Sequence, residues 1–324
     1  MNLRTDHAEA APAVLDVPLA AERDELALGR PGVGSFRVGA HHGEILQGVF
    51  QIQGRLHRGL LTLPYPRYDT RATFMCTEDE GVTVRPAWRT KAGRAAELAL
   101  DLLGRPVPGG ILDLTSETPV CRGFGSSTAD VTAAIGAVAA ATGRALSRTD
   151  MARLAVAAES ASDCLVFGRR ALIFAHREGV WLEDLGASLM PLAVLGFGTS
   201  DRGQGVDTLA LPAARYSSWE IEAFRPLLGL LRRAVLSGDV DLLGRVATAS
   251  TRINQRHLAV PRLDELLEVC RSAGAAGMQV AHSGDVAGFL FDPEDPAVPG
   301  RMDEAAERLG RLGVTETWRF ETER

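Results

Sequence analysis

The sequence predicts an α+β fold in two domains. Strand-like and helix-like segments alternate along the chain without the regular spacing of repeated βαβ units. The length of 324 residues exceeds what a single hydrophobic core ordinarily organises. A buried-looking strand, a glycine turn and an alanine-rich helix follow one another between Ile111 and Ala141. The expected divisions are a flexible extension over 1–33, a first domain over 34–186 and a second over 187–324.

The elements follow in order. Residues 1–33 are rich in Ala, Asp, Glu and Pro and lack a basic start followed by an apolar run, so they do not resemble a secretory signal. Ser35–Val38 reads as an opening strand and Ala40–Gly48 as a polar turn. Arg67–Cys76 alternates Tyr68, Thr70, Ala72, Phe74 and Cys76, the period-two pattern of a half-buried strand. Gly81–Val84 is its expected hairpin partner, and Arg94–Leu103 a helix. After the glycine turn, Ala129–Ala141 forms a closely packed helix. Ser147 is a good N-cap for a second helix reaching Cys164. Ala171–Ala175 and Val180–Leu182 are short strands, and Leu189–Phe197 opens the second domain. Helices follow over Ser218–Leu236, Val240–Asn254, Leu263–Ala273 and Met302–Leu312, with strands over Gly277–Ala281, Gly288–Phe291 and Glu316–Phe320.

Composition excludes several functions. The net charge of −6 gives no electrostatic support for nucleic-acid binding. No apolar run reaches the ~20 residues that span a bilayer. The four cysteines, Cys76, Cys121, Cys164 and Cys270, are isolated, which argues against a zinc site or a disulfide framework and fits a reducing cytoplasm.

The most informative stretch runs from Pro119 to Ala129, Pro-Val-Cys-Arg-Gly-Phe-Gly-Ser-Ser-Thr-Ala. A helix N-terminus presents amides without partners and the positive end of a dipole, which suits phosphate. Gly123 and Gly125 let the backbone approach an anion closely. Ser126, Ser127 and Thr128 add hydroxyls, and Arg122 is a candidate helper. Taken alone, the stretch also fits an ordinary loop with a serine cap. It is neither a Walker loop nor a completed dinucleotide fingerprint, and the chain's single lysine, Lys91, falls outside it.

Four segments in register resemble the GHMP kinases. Pro119, Gly123, Phe124, Gly125, Ser126 and Ser127 resemble the central motif. Gly43-Glu44-Ile45-Leu46-Gln47-Gly48 is similar to the first motif of the L-threonine kinase branch. Asp201, Gly203, Val206, Asp207 and Thr208 resemble a later segment of that branch, and Ala281-His282-Ser283-Gly284 with Gly288 resembles the third motif. The resemblance covers roughly residues 35 to 320.

It implies a ribosomal protein S5 domain 2-like N-terminal domain, a ferredoxin-like C-terminal domain and a cleft between them. It implies transfer of the γ-phosphoryl group of ATP, with Mg²⁺, to a small alcohol, most similar to L-threonine going to O-phospho-L-threonine on the route to cobalamin's aminopropanol linker. Homodimers are frequent in the family. The loop from Arg122 to Thr128, Phe124 included, would hold the triphosphate, with Ser127 and Glu159 at Mg²⁺. Asp163 would accept or orient the hydroxyl proton. Spacing of four residues places Glu159 and Asp163 on one helix face, where both could point at one metal. Glu44, Gln47, Asp207, His282 and Ser283 would form the substrate end, with Glu44 suited to an ammonium. Asn254 and Gln255 resemble a family pair or serve as polar packing.

The sequence departs from the branch at His41-His42 and at the Glu159–Asp163 stretch, which lacks the branch's proline. These departures leave open a kinase for another amino acid or amino alcohol. A catalytically silent ligand-binding protein of the same fold is the reading from a different class.

Overall fold

The computed structural model describes residues 32–120, 122–199, 214–282 and 285–322. β1 (Val33–Ile52) and β2 (Arg55–Thr77) form a long antiparallel pair joined through Gln53 and Gly54, both at positive φ. A two-residue connection of this kind matches the twist of the strands it joins.

The turn expected over Ala40–Gly48 is instead a continuation of β1. Register shifts between Gly39 and Ala40, His41 and Glu44, and Glu44 and Leu46 mark a bulge there. Gly43 has φ +67°, and a Cβ on it would come within 2.6 Å of the Ala281 backbone nitrogen. His41, His42 and Glu44 are all buried. Their polarity marks a buried site rather than a solvent-facing turn.

β3 (Gly81–Arg85) does not pair with β2 as a hairpin. β4 (Gly109–Ser116) pairs with β2, and β3 lies outside it, parallel to β4. Parallel neighbours need a crossover, and α1 (Thr90–Leu102) supplies it. α2 (Ser126–Thr142) is buried along nearly all its length, which its Ala, Val and Gly composition allows. A Cβ on Gly136 would overlap the Phe36 ring, so sheet and helix approach more closely than larger residues permit.

α3 (Arg148–Glu159) starts at Ser147, whose hydroxyl accepts from the Asp150 amide, as expected. It stops earlier than expected. Ser160 takes a left-handed conformation, φ +71°, and its amide bonds back to Val156. Asp163 therefore precedes a short 3₁₀ turn, Cys164–Phe167, rather than riding on the helix. β5 (Arg170–Ala175) and β6 (Val180–Ser188) form a hairpin attached to β2.

The second half holds β7 (Ala193–Gly198), α4 (Ser218–Ser237), α5 (Val240–Asn254), α6 (Leu263–Ser272), β8 (Gly277–Val280), β9 (Val286–Phe291), α7 (Val298–Arg311) and β10 (Thr317–Glu321). The sheet order is β10-β7-β9-β8-β1-β2-β4-β3. β8 meets β1 through the single pair Val280–Glu44. One core lies between α1, α2 and the first strands, around Phe74, Leu112 and Ile135. Another lies under α6 and α7, around Phe197, Phe289 and Leu309. A third, with Ile45, Leu46, Phe224 and Leu243, includes β1 and packs α4 and α5 against it.

α5 rests on β8 through backbone contact between Gly244 and Gly277, with no room for a Cβ on either. Gly277→Ala is expected to destabilise the protein by about 1–3 kcal/mol through overpacking. Urea unfolding will show this as a lower midpoint at unchanged slope; an unchanged midpoint would refute it.

Candidate active site

The N-terminus of α2 opens onto a cleft of ≈ 540 Å³. Gly125 occupies the N-cap position at φ +71° and provides no capping side chain. The first amides of the helix are thus left to a ligand. Gly123, at φ +80°, shapes the approach. Gly123, Gly125, Ser126, Ser127 and Thr128 line the cleft together with Glu159, Asp163, His41, Glu44 and His282.

Two carboxylates converge on the start of α2. The Ser127 hydroxyl donates to Glu159 Oε2 at 2.5 Å, and the Thr128 hydroxyl to Glu159 Oε1 at 2.9 Å. Burial raises the Glu159 carboxyl above its ordinary range, against the opposing pull of these hydroxyls. The Asp163 amide donates to Thr128 Oγ1 at 3.3 Å. Glu159 and Asp163 therefore meet through Thr128, although the helix ends between them.

Asp163 is paired with a histidine. His41 Nε2 lies 2.9 Å from Asp163 Oδ2. The imidazole packs on Gly125, where a Cβ would strike it, and its amide bonds to the Phe124 carbonyl. Burial alone would lift the Asp163 carboxyl. The His41 charge and hydrogen bond, with His176 and His282 nearby, outweigh burial and hold it at about 2. Burial likewise opposes protonation of His41, but Asp163 reverses this and raises its pKa. Each partner thus favours the charged form of the other.

Glu44 has no such partner. It is 2% exposed, and among the described residues neither carboxylate oxygen has a side-chain hydrogen-bonding partner; the nearby His282 backbone lowers its pKa only weakly. Burial pushes its pKa up to about 8, against the lowering effect of His41. A buried acid of this kind calls for a cation or donor from a ligand.

Gln47 and His282 support that end. The His282 Nδ1–H donates to Gln47 Oε1 at 2.7 Å. Asn254 Nδ2 donates to the Gln47 carbonyl at 3.0 Å, and the Gln47 amide donates to Ser250 Oγ at 3.1 Å. Asn254 therefore fixes Gln47, and Gln255 accepts from the Val260 amide as a packing residue. Asp207 and Ser283 lie outside the described residues, as do Asp201, Gly203, Val206, Thr208 and Gly284.

Two loop residues take roles other than lining the cleft. Arg122 reaches Asp285 at 3.2 Å and Glu316 at 2.5 Å, tying the loop to the second half. Phe124 is buried among Tyr65, Tyr68, His42 and Trp318. The two histidines of the first motif also part company. His41 faces the cleft, whereas His42 sits among aromatic rings and accepts from Gln279 Nε2, with burial holding its pKa at about 3.

Family models agree with this geometry. The description "GHMP kinases N terminal domain" matches residues 90–168, and "GHMP kinases C terminal" matches residues 231–311. The chain belongs to the GHMP kinases. It is 29% identical to the L-threonine kinase of Citrobacter freundii over 182 residues, 56% of this chain and 62% of that protein. It is 29% identical to the L-threonine kinase of Salmonella typhimurium over 197 residues, 61% and 65% of the two chains. In both cases the match spans just under two thirds of the relative. The crystal structure of homoserine kinase from Cytophaga hutchinsonii superposes with a TM-score of 0.66 at 15% identity, covering 91% of this chain and 96% of that one. That likeness supports the two-domain GHMP kinase fold.

The cleft also contains residues that sequence reasoning missed. Trp88, Arg89, Thr90 and Lys91 line it from the start of α1, and His176 and Arg177 from the β5–β6 hairpin. Arg89 is ion-paired with buried Asp130 of α2, and its guanidinium lies 4.1 Å from the Trp88 ring centroid. The rarity of lysine in the chain was the one available hint to Lys91. No local pattern marked the others.

Glu44 makes stability pH-dependent in a predictable direction. Its folded pKa lies above the ordinary carboxyl value, so its contribution is complete below pH ~4.5 and is lost as pH rises through about 8. Glu44→Gln is expected to flatten the fall in urea-unfolding stability between pH 5 and pH 8 relative to wild type. Parallel curves for the two proteins would show that Glu44 is not the source.

Proposed function

We propose that the protein is an ATP-dependent kinase that phosphorylates the hydroxyl of a small, ammonium-bearing acceptor, with L-threonine as the leading candidate. The observation that carries this reading is the arrangement of one cleft. An uncapped helix N-terminus, Asp163 paired with His41, and buried Glu44 share it, with one side-chain atom each of His41, Glu44 and Asp163 lying within 4.8 Å of one another.

Phosphoryl transfer depends on positioning and charge neutralisation more than on covalent chemistry. The α2 amides and the Gly123–Thr128 loop hold the triphosphate. The donors at the loop fit Mg²⁺: Ser127 Oγ and a Glu159 oxygen are hard ligands already within 2.5 Å of each other, on a buried carboxylate without a cation. When bound there, Mg²⁺ supplies neutralisation of phosphate charge. Glu44 receives the acceptor's ammonium. Asp163 orients the acceptor hydroxyl and takes its proton as the new O–P bond forms and ADP departs. His41 holds the Asp163 carboxylate ionised and aimed.

Relatives that act on L-threonine support the choice of acceptor. The pair His41-His42 favours a second reading within the same chemistry, a kinase for another amino acid or amino alcohol. Cytoplasmic location fits both; among the described residues no helix is long and apolar enough to cross a membrane.

ADP release with Mg²⁺-ATP, measured over L-threonine, L-serine, L-homoserine, amino alcohols and no acceptor, tests the reading. Acceptor-dependent release is expected, and Asp163→Asn should lower kcat at least ~100-fold with KM for ATP nearly unchanged. Undiminished turnover in that variant would remove Asp163 from its role. ATP binding without turnover of any acceptor would favour the silent binding protein.

A further inference from the structure

The cleft that holds the buried acid Glu44 also holds a cation with no carboxylate partner among the described residues. Arg177 lines the same cleft as Glu44, His176 and His282. The cleft's other arginine, Arg89, is committed to Asp130. Arg177 is exposed and, among the described residues, has no carboxylate partner.

Its position is fixed by the fold. Arg177 stands in the β5–β6 turn, where the Glu178 and Gly179 amides both bond to the Ala175 carbonyl. The His176 carbonyl accepts from the Ser162 amide at 2.8 Å, which ties this turn to the segment carrying Asp163. The His176 ring lies 5.6 Å from that of His282. His176 is 8% exposed, and its Nδ1 is buried without a partner. The positive charges of Arg177 and Arg58 both act on His176 and His282, and burial with these charges keeps the two rings neutral. The cleft thus combines a buried acid with an exposed guanidinium whose charge acts on the neighbouring imidazoles His176 and His282. Such a surface complements a zwitterion.

We propose that Arg177, with His176 beside it, receives the carboxylate of the acceptor, so that the acceptor is a hydroxy amino acid and amino alcohols are discriminated against. This rests on the kinase reading above and assigns its specificity to a residue outside the resemblance motifs. Arg177 is a fork of donors matched to a carboxylate. An amino alcohol of the same size would leave that fork unfilled while still satisfying Glu44.

The experiment compares matched pairs with the full chain and Mg²⁺-ATP: L-threonine with (R)-1-amino-2-propanol, L-serine with ethanolamine, and L-homoserine with 3-amino-1-propanol. For the pair containing the preferred acceptor, kcat/KM is expected to favour the amino acid by about 10- to 100-fold, the range of a hydrogen-bonded charge. Arg177→Gln should collapse that ratio towards one, chiefly through KM, and Arg177→Lys should retain part of it. Calorimetric binding of the same pairs, with a non-hydrolysable ATP analogue and Mg²⁺, gives a readout independent of turnover. Amino alcohols turned over as efficiently as amino acids would overturn the carboxylate receptor while leaving the kinase standing. Equal loss of both substrates in Arg177→Gln, in a variant that retains the wild-type melting temperature, would also overturn it. Selective binding of amino acids without turnover would retain the receptor and remove the kinase. Binding of neither class would overturn the receptor.

Discussion

The bulge at Gly43 is the constraint on which the rest of the site depends. A regular strand would send His41 and Gly43 to one face and His42 and Glu44 to the other. The register shifts break that alternation. His41 and Glu44 both reach the cleft, while His42 turns into the aromatic cluster beneath it. Glu44 is also the residue through which β1 meets β8. This buried acid of the cleft therefore sits on the seam joining the two halves of the sheet. Gly43 makes this possible because a side chain there would collide with the backbone at Ala281.

Four carboxylates line the cleft, and each meets burial differently; Asp130 is paired with Arg89. Glu159 is satisfied by two hydroxyls at the start of α2. Asp163 is satisfied by a histidine and remains ionised. Glu44 has no side-chain hydrogen-bonding partner among the described residues. Buried acids ordinarily shift towards neutrality unless charge or hydrogen bonds oppose it. The compensation runs from hydroxyl to imidazole to almost none, and these three acids titrate differently for that reason. Perturbed groups of this kind cluster where proteins do chemistry.

Much of this architecture was legible from local pattern. α5 begins after Asp239, whose side chain accepts from the Leu242 amide, and its apolar residues keep helical spacing, so its span could be read directly. The strand–turn–helix around Gly123 and Gly125 was equally clear, because glycine, hydroxyl and alanine each have distinct physical uses there. The failures share a cause. His41 to Glu44 resembled a turn because buried polarity looks like exposure when its partners lie more than a hundred residues away. β3 was given the wrong neighbour because a strand's sequence does not encode whether a crossover intervenes. α3 was drawn too long because its terminator, Ser160, is not glycine. Lys91, His176 and Arg177 were invisible because each stands alone in sequence and becomes part of the site only through tertiary structure.

The ties that complete the cleft are long in sequence. His41 meets Asp163 across 122 positions, and Gln47 meets His282 across 235. Non-local contacts of this kind form only after large loops have closed, which slows folding. The earliest strand of the sheet must therefore hold its shape before the groups that give it purpose arrive. During synthesis, β1 emerges with buried-type histidines and an acid that have neither partner nor cover. The cleft is complete only once His282 has joined Gln47, and a chain interrupted before β8 lacks the seam that joins β1 to the second half.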